Sequence, residues 1–196
     1  NVASATAAVG YDVANSCRFD AAGDAHMQKT FVSGNQDRWT FSCWVKNCGL
    51  GGQDANYVFS WFDDTSNLTQ LNFEAPDHTL RFLNRVGAST KGNLITTRVF
   101  RDPAAWYHIV IVWDSGNATA GNRMRMYVNG VEETVFGTDA NPDQNQDSIG
   151  NKTDAICIIG NKGEGIAGTH LDSYLAEVVF IDGTVYAASD FGEFDS

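Results

Sequence analysis

From Arg38 to Lys46 the chain reads RWTFSCWVK, and its apolar residues fall at every second position. Trp39, Phe41, Cys43 and Val45 share one face, and Thr40, Ser42, Trp44 and Lys46 the other. A period of two is that of a strand with one face on a core. NYVFSWF (56–62), LTQLNFEA (68–75), TLRFLNRV (79–86) and LITTRVF (94–100) follow as further strands, with GLGGQ, DDTSN, APDH and GASTKGN as the turns between them. WYHIVIVWD differs in being apolar on both faces, so it is expected mid-sheet and covered on both sides. RMRMYVNG, VEETVF, AICIIG and YLAEVVFID bring the total to about a dozen short strands. Asn129-Gly130 supplies the positive φ angles of a two-residue type I′ turn, setting Val128 opposite Val131 and Tyr127 opposite Glu132. Prolines 76, 103 and 142 all fall in expected turns, and single helical turns are expected at DPAAW and at 187–194. The economical arrangement is all-β, a sandwich of two antiparallel sheets.

At 196 residues, with no linker-like stretch, the chain reads as a single domain over 1–196 with its core at about 15–195. The formal charge of -11 disfavours phosphate backbones and anionic membrane surfaces, since Arg81, Arg85, Lys91, Arg98 and Arg101 are spread over several strands and form no stripe. Nucleic acid is therefore excluded as a partner. Membrane insertion is not expected either: no apolar run approaches the roughly 18 residues of a spanning helix, and NVASATAAVGYD lacks the basic and apolar regions of a secretion signal. Cys43 and Cys48 would stand roughly 16 Å apart on an extended path, beyond the roughly 7 Å limit for a bridge unless the chain turns near Lys46-Asn47. Cys17 and Cys157 sit in apolar settings, so mostly free thiols are expected. No CxxC pair and no clustering of histidines 26, 78, 108 and 170 point to zinc.

Taken in order, WTFSCWVK, AWYHIVIVWD, MYVNGVEE, IIG and YLAEVVFIDG resemble the hallmark strands of laminin G-like and concanavalin A-like jelly rolls. GNQDRWTFSCWVK, VFRDPAAWYHIVIVWD, NPDQNQDS and LAEVVFIDGT with ASDFGEF are similar to phrases of such domains in tailed-bacteriophage tail proteins. The resemblance implies a jelly roll of two curved sheets that binds carbohydrate, often with structural calcium, in a longer virion tail or fibre chain that recognises host-surface glycans outside the cell. Other virion proteins, and oligomerisation through the rest of the chain, are implied as well. Ala176-Glu177 stands where the family commonly has Asp-Glu, so one calcium ligand is missing.

Asp20 and Asp24 flank a glycine turn in FDAAGDAH, and Glu177 lies on the last long strand, which in this fold comes near the first. Those three carboxylates are the candidate calcium ligands, with a side-chain-capped turn as the alternative. For carbohydrate, aromatic faces beside Asp, Asn and Arg are the useful groups. SWFDDTSN offers Trp61, Asp63, Asp64 and Asn67, with one of Trp61 and Phe62 facing the core. RFLNRVGAST offers Asn84 and Arg85 on opposite faces, and the long polar excursion NPDQNQDSIGNK offers Asn145 and Asp147. A plain edge-covering crossover is the alternative for that excursion. In WDSGNATAGN, Asp114, Asn117 and Asn122 read as turn formers. Catalysis is not expected: Glu132 and Glu133 are adjacent and point to opposite faces, and no paired carboxylates have the strand spacing of a retaining hydrolase. A structural domain that only contacts neighbouring virion proteins is the second reading.

Overall fold

A computed structural model describes residues 15–50, 56–163 and 166–192. The short strands β1 (Cys17–Phe19) and β2 (Met27–Thr30) precede the long central β3 (Arg38–Asn47). A four-strand meander follows: β4 (Asn56–Asp64), β5 (Asn67–Phe73), β6 (Thr79–Val86) and β7 (Ser89–Val99). The chain then forms β8 (Tyr107–Asp114), β9 (Met124–Val128), β10 (Val131–Glu132), β11 (Phe136–Ala140), β12 (Ile156–Ile159) and β13 (Ser173–Asp182). These make a six-stranded sheet in the order β1-β13-β3-β8-β9-β10 and a seven-stranded sheet in the order β11-β7-β6-β5-β4-β12-β2, with every pairing antiparallel. The two-sheet sandwich expected from the alternation is the fold observed.

The core lies between the sheets. Trp39, Phe41, Cys43 and Val45 of β3 and Ile109, Ile111 and Trp113 of β8 meet Phe59, Trp61, Leu71, Phe73, Phe82 and Leu94 of the facing sheet. Trp39 stacks parallel to Trp113 with ring centres 6.4 Å apart and meets Phe82 edge-on at 5.8 Å. Val110 and Val112, on the other face of β8, are buried with Tyr127 and Ala188 under Val185 and Phe191, so that strand is covered on both sides as its sequence requires. The covering segment ends in the 3-10 turn Ala188–Asp190, within the stretch expected to be helical; residues 193 and 194 lie outside the described part. Asn129 (φ 52) and Gly130 (φ 78) form the expected hairpin turn, with Val131 opposite Val128 and Glu132 opposite Tyr127. All four cysteines are free thiols.

Residues 141–152 lie between β11 and β12, both strands of the seven-stranded sheet, and are tied by hydrogen bonds to both sheets. Ser148 Oγ accepts from Trp39 Nε1 at 2.8 Å and donates to the Gln36 carbonyl at 2.9 Å. The Ile149 and Gly150 amides donate to Thr69 Oγ1 at 3.0 and 3.2 Å. Arg123 donates to the Pro142 carbonyl, and the Asn145 amide to that of Ser115. The crossover thus fastens the two sheets to each other through Trp39, Gln36 and Thr69, where the plain alternative expected from the sequence was a cover for a sheet edge. It also meets the segment after β8, where Asp114 accepts from Arg38 at 3.0 Å and from Asn117 at 3.2 Å, as a turn former does.

Candidate functional site

The carbohydrate ligands expected from the sequence are not gathered into one place. Trp61 is fully buried, packed against Phe31 and Phe180 with ring centres 4.9 and 5.7 Å away, and cannot present a face to a sugar. It shares strand parity with Phe59, so the aromatic that turns outward is Phe62. Asp63 is exposed and ion-paired with Lys152. Asp64 accepts the Ser66 and Asn67 amides at 2.6 and 2.9 Å, and these bonds together with the Asn67 side chain hold its carboxyl below the usual range. Asn67 Oδ1 takes the Gly87 amide at 2.8 Å, which ties the β4–β5 turn to the β6–β7 turn.

Asn84 is an internal strut: its Oδ1 accepts from Thr69 Oγ1 at 2.7 Å and from the Ile149 amide at 3.2 Å, and its Nδ2 donates to the Asp147 carbonyl. Asn145 is exposed at φ 61, shaping the crossover. The Asp147 carboxyl is raised above its ordinary value by desolvation and then by its bond to Asp37. Of this group only Arg85 points to the feature that the structure makes prominent.

That feature is the outward face of the seven-stranded sheet. In β5, Thr69, Leu71 and Phe73 turn inward, leaving Leu68, Gln70 and Asn72 outward; the register sets Asn72 opposite Arg81 and Tyr57, Gln70 opposite Leu83 and Ser60, and Leu68 opposite Arg85. Gln70 Nε2 donates to Asn72 Oδ1 at 3.0 Å, and Asn72 Nδ2 donates to Glu74 Oε1 at 2.7 Å. Arg81 bonds that same Glu74 oxygen at 3.3 Å and Asn93 Oδ1 at 2.9 Å. From across the sheet the 160–163 segment folds over β4: Lys162 Nζ stands 5.7 Å from the centre of the Tyr57 ring, and Gly163 packs on Phe62 so closely that a Cβ there would lie 2.9 Å from the ring.

Although it faces away from the core, this cluster is dry. Ser60, Gln70 and Asn72 are 0 to 2% exposed and Tyr57 is 8% exposed. Ser60 Oγ, Gln70 Oε1 and Arg85 Nε have no hydrogen-bond partner among the described residues. Buried polar atoms are almost always paired, and each orphan costs about 1–3 kcal/mol, so these three leave hydrogen-bonding capacity unused on this face. Burial, then the Glu74 charge, pushes the Tyr57 hydroxyl pKa up; burial, then Arg85 and Arg81, pulls the Lys162 ammonium down. The Gln70–Asn72–Glu74 alternation was visible in the sequence, whereas Lys162 reaches the cluster from a loop that no periodicity marks.

The candidate calcium ligands do not form one set. Asp20 caps a 3-10 turn by accepting the Ala22 amide, while Asp24, at φ 54, stands 3.4 Å from His170. The pairing of Phe19 with Ser173 puts Glu177 five residues along β13 from the level of Asp20, about 16 Å at roughly 3.3 Å per residue. Oxygens around a calcium ion sit about 2.3–2.6 Å from it, so these three carboxylates as placed do not fit a shared ion. No cluster of three His, Cys, Asp or Glu with metal-site geometry occurs among the described residues.

The family model described as the concanavalin A-like lectin/glucanases superfamily matches residues 19–189. No curated protein matches the chain in sequence. Among solved structures the fold is similar to the native heptameric SAP-like pentraxin from Limulus polyphemus, at a TM-score of 0.55 and 20% identity, over 79% of this chain and 68% of that one. It is similar to the Ruminococcus gnavus IT-sialidase CBM40, at a TM-score of 0.55 and 13% identity, over 84% and 95%. The full-length tailspike protein 2 of Escherichia coli O157:H7 bacteriophage CAB120 matches at a TM-score of 0.57 and 12% identity, over 85% of this chain but 22% of the tailspike. At such identities the structural likeness is one of fold. No helix among the described residues is long and apolar enough to cross a membrane. With the two antiparallel sheets in place and the family match running from β1 to the last 3-10 turn, the chain belongs to the concanavalin A-like lectin/glucanases superfamily.

Proposed function

We propose that this chain is a non-catalytic carbohydrate-binding domain of a virion tail or fibre protein, and that it recognises host-surface glycan on the outward face of its seven-stranded sheet. The observation that carries the reading is the dry polar cluster of Tyr57, Gln70, Asn72 and Glu74 with its orphaned Ser60, Gln70 and Arg85 atoms. Sugar hydroxyls both donate and accept, and would bond the half-buried Glu74, Arg81 and Arg85 at the rim of that cluster. Phe62, half-buried beside them, offers the apolar edge that sugar C–H groups prefer. Among the described residues the cluster's one carboxylate is Glu74, already held by Asn72 and Arg81, whereas hydrolysis of a glycosidic bond calls for two flanking carboxylates. This favours binding over cleavage. The tail placement draws on the tail-protein phrases in the sequence and on the fold shared with a phage tailspike.

A protein-docking role draws less support. On the six-stranded sheet the exposed Val131 lies on β10 and the exposed Val178 and Val179 on β13, with β3, β8 and β9 between them, so these three do not adjoin. A glycan-array screen of the purified chain, with and without a calcium chelator, tests the reading. Binding is expected, and Glu74→Gln, which removes the charge that orients Asn72 and Arg81, is expected to weaken it about tenfold or more. Binding to no glycan in either condition, or binding indifferent to Glu74, would overturn it.

A further inference from the structure

Within a chain of net charge -11, the outward face of the seven-stranded sheet gathers three cations, Arg81, Arg85 and Lys162, around Glu74, the one carboxylate of the cluster among the described residues. Glu74 is consumed locally by Arg81 at 3.3 Å and by Asn72 at 2.7 Å. Arg85 and Lys162 are then left without an acidic partner among the described residues. Arg85 spends one terminal nitrogen on the Thr65 carbonyl at 3.4 Å, and its Nε is buried with no acceptor. Gln70, 2% exposed, keeps an unbonded Oε1. The cluster therefore lacks an anionic acceptor at Arg85 and a neutral donor at Gln70. The crowding has a second signature: Lys162, desolvated and next to Arg85 and Arg81, gives up its proton more readily than an ordinary lysine, as a site short of negative charge requires.

We propose that this face selects a sugar acid, its carboxylate held by the half-buried Arg85 and Lys162, a choice of ligand that rests on reading the face as a glycan site. An Arg fork takes a carboxylate with two parallel bonds, and Lys162 adds a second charge from the covering segment. A neutral hexose would leave both cations desolvated without compensation.

The test is calorimetric titration with three probes: a polyuronic acid oligomer, the same oligomer with its carboxyls reduced to alcohols, and dextran sulfate. Binding of the first alone is expected, with an affinity loss of about tenfold to a hundredfold in Arg85→Gln and in Lys162→Gln. Arg85→Lys should recover part of it, and Arg101→Gln, a matched charge loss outside the cluster, should change nothing. Lys162 lies on a loop, so its variant keeps the test alive if Arg85→Gln does not fold. Equal binding of the reduced oligomer would overturn the sugar-acid inference while leaving the glycan reading intact. Equal binding of dextran sulfate would replace carboxylate selection with general polyanion attraction. Failure to bind any of the three, joined to a blank glycan array, would remove both readings.

Discussion

Thr69→Val separates the structural part of the 141–152 crossover from any binding role, because the two side chains have nearly the same shape and only the hydroxyl is lost. Thr69 is fully buried, and its Oγ1 accepts the Ile149 amide at 3.0 Å and the Gly150 amide at 3.2 Å while donating to Asn84 Oδ1 at 2.7 Å. In the variant Ile149 can still use Asn84 Oδ1, at 3.2 Å, but the Gly150 amide has no other acceptor among the described residues. One orphaned buried amide costs about 1–3 kcal/mol and one lost internal hydrogen bond about 1 kcal/mol, so the loss is about 2–4 kcal/mol. At about 2–4 °C per kcal/mol for a chain of this size, Tm should fall by roughly 5–15 °C. The assay is guanidinium unfolding at pH 7 followed by two probes, with glycan affinity measured well below the transition. Asn84→Ala should likewise lower the midpoint, and the folded fraction of either variant should bind glycan like the parent. A Thr69→Val midpoint matching the parent's would refute the load assigned to the strap; an Asn84→Ala protein of parental stability that no longer bound sugar would restore Asn84 as a ligand.

Two pH effects follow from titratable groups that the fold shifts, His108 and Asp147. Burial pushes His108 down to about 4; it is stacked on Trp44 with ring centres 5.0 Å apart and sits 2.9 Å from Ser42 Oγ, so the native state prefers the neutral ring. Its contribution is complete above the unfolded value of about 6.5 and is lost as pH falls from there towards 4, about 3 kcal/mol in all; His108→Gln should flatten denaturation midpoints between pH 7 and pH 4.5, and an unchanged slope would contradict the assignment. The raised Asp147 pKa means that the native state prefers its protonated form, so its charge costs stability above the carboxylate range. Asp147→Asn should give a small rise in midpoint at pH 7 that vanishes near pH 3, and a rise persisting at pH 3 would point to packing instead.

Where local pattern and tertiary environment agree, the fold was legible from the sequence. β3 and β8 carry their burial in their alternation, and the β9–β10 turn carries its type in Asn129-Gly130. β2, reading MQKT, is exposed throughout and gains its order only by pairing with β12 at the sheet edge, so nothing in its own residues marks it. The first half of β7 reads as a turn because STKGN is polar and contains glycine. The strand continues through it because Gly92 faces inward against the other sheet: a Cβ there would stand 2.3 Å from Met124 Sδ. VEETVF was expected as one strand, yet Val131–Glu132 and Phe136–Ala140 belong to different sheets, so the chain crosses between layers inside an unbroken apolar–polar rhythm.

The site failed to stand out for a different reason. An exposed aromatic beside acidic turn residues is a sound local criterion for a sugar platform, and it selected Trp61, which sits on the inward parity of β4. The residues that matter are polar positions on strand faces, and alternation assigns such positions to solvent. Gln70 and Asn72 are buried by tertiary packing on a face where the 160–163 segment folds back over Tyr57 and Phe62 of β4, and no window of sequence contains both partners. Charge was averaged away in the same manner. A net of -11 argues against anionic ligands when the field is uniform, yet Arg81 and Arg85 lie four residues apart on one face of β6, and Lys162 is brought beside them by tertiary folding alone. Over a Debye length of about 8 Å at physiological salt, an anion at that face responds to these three cations and Glu74 far more than to the acids spread over the remaining surface.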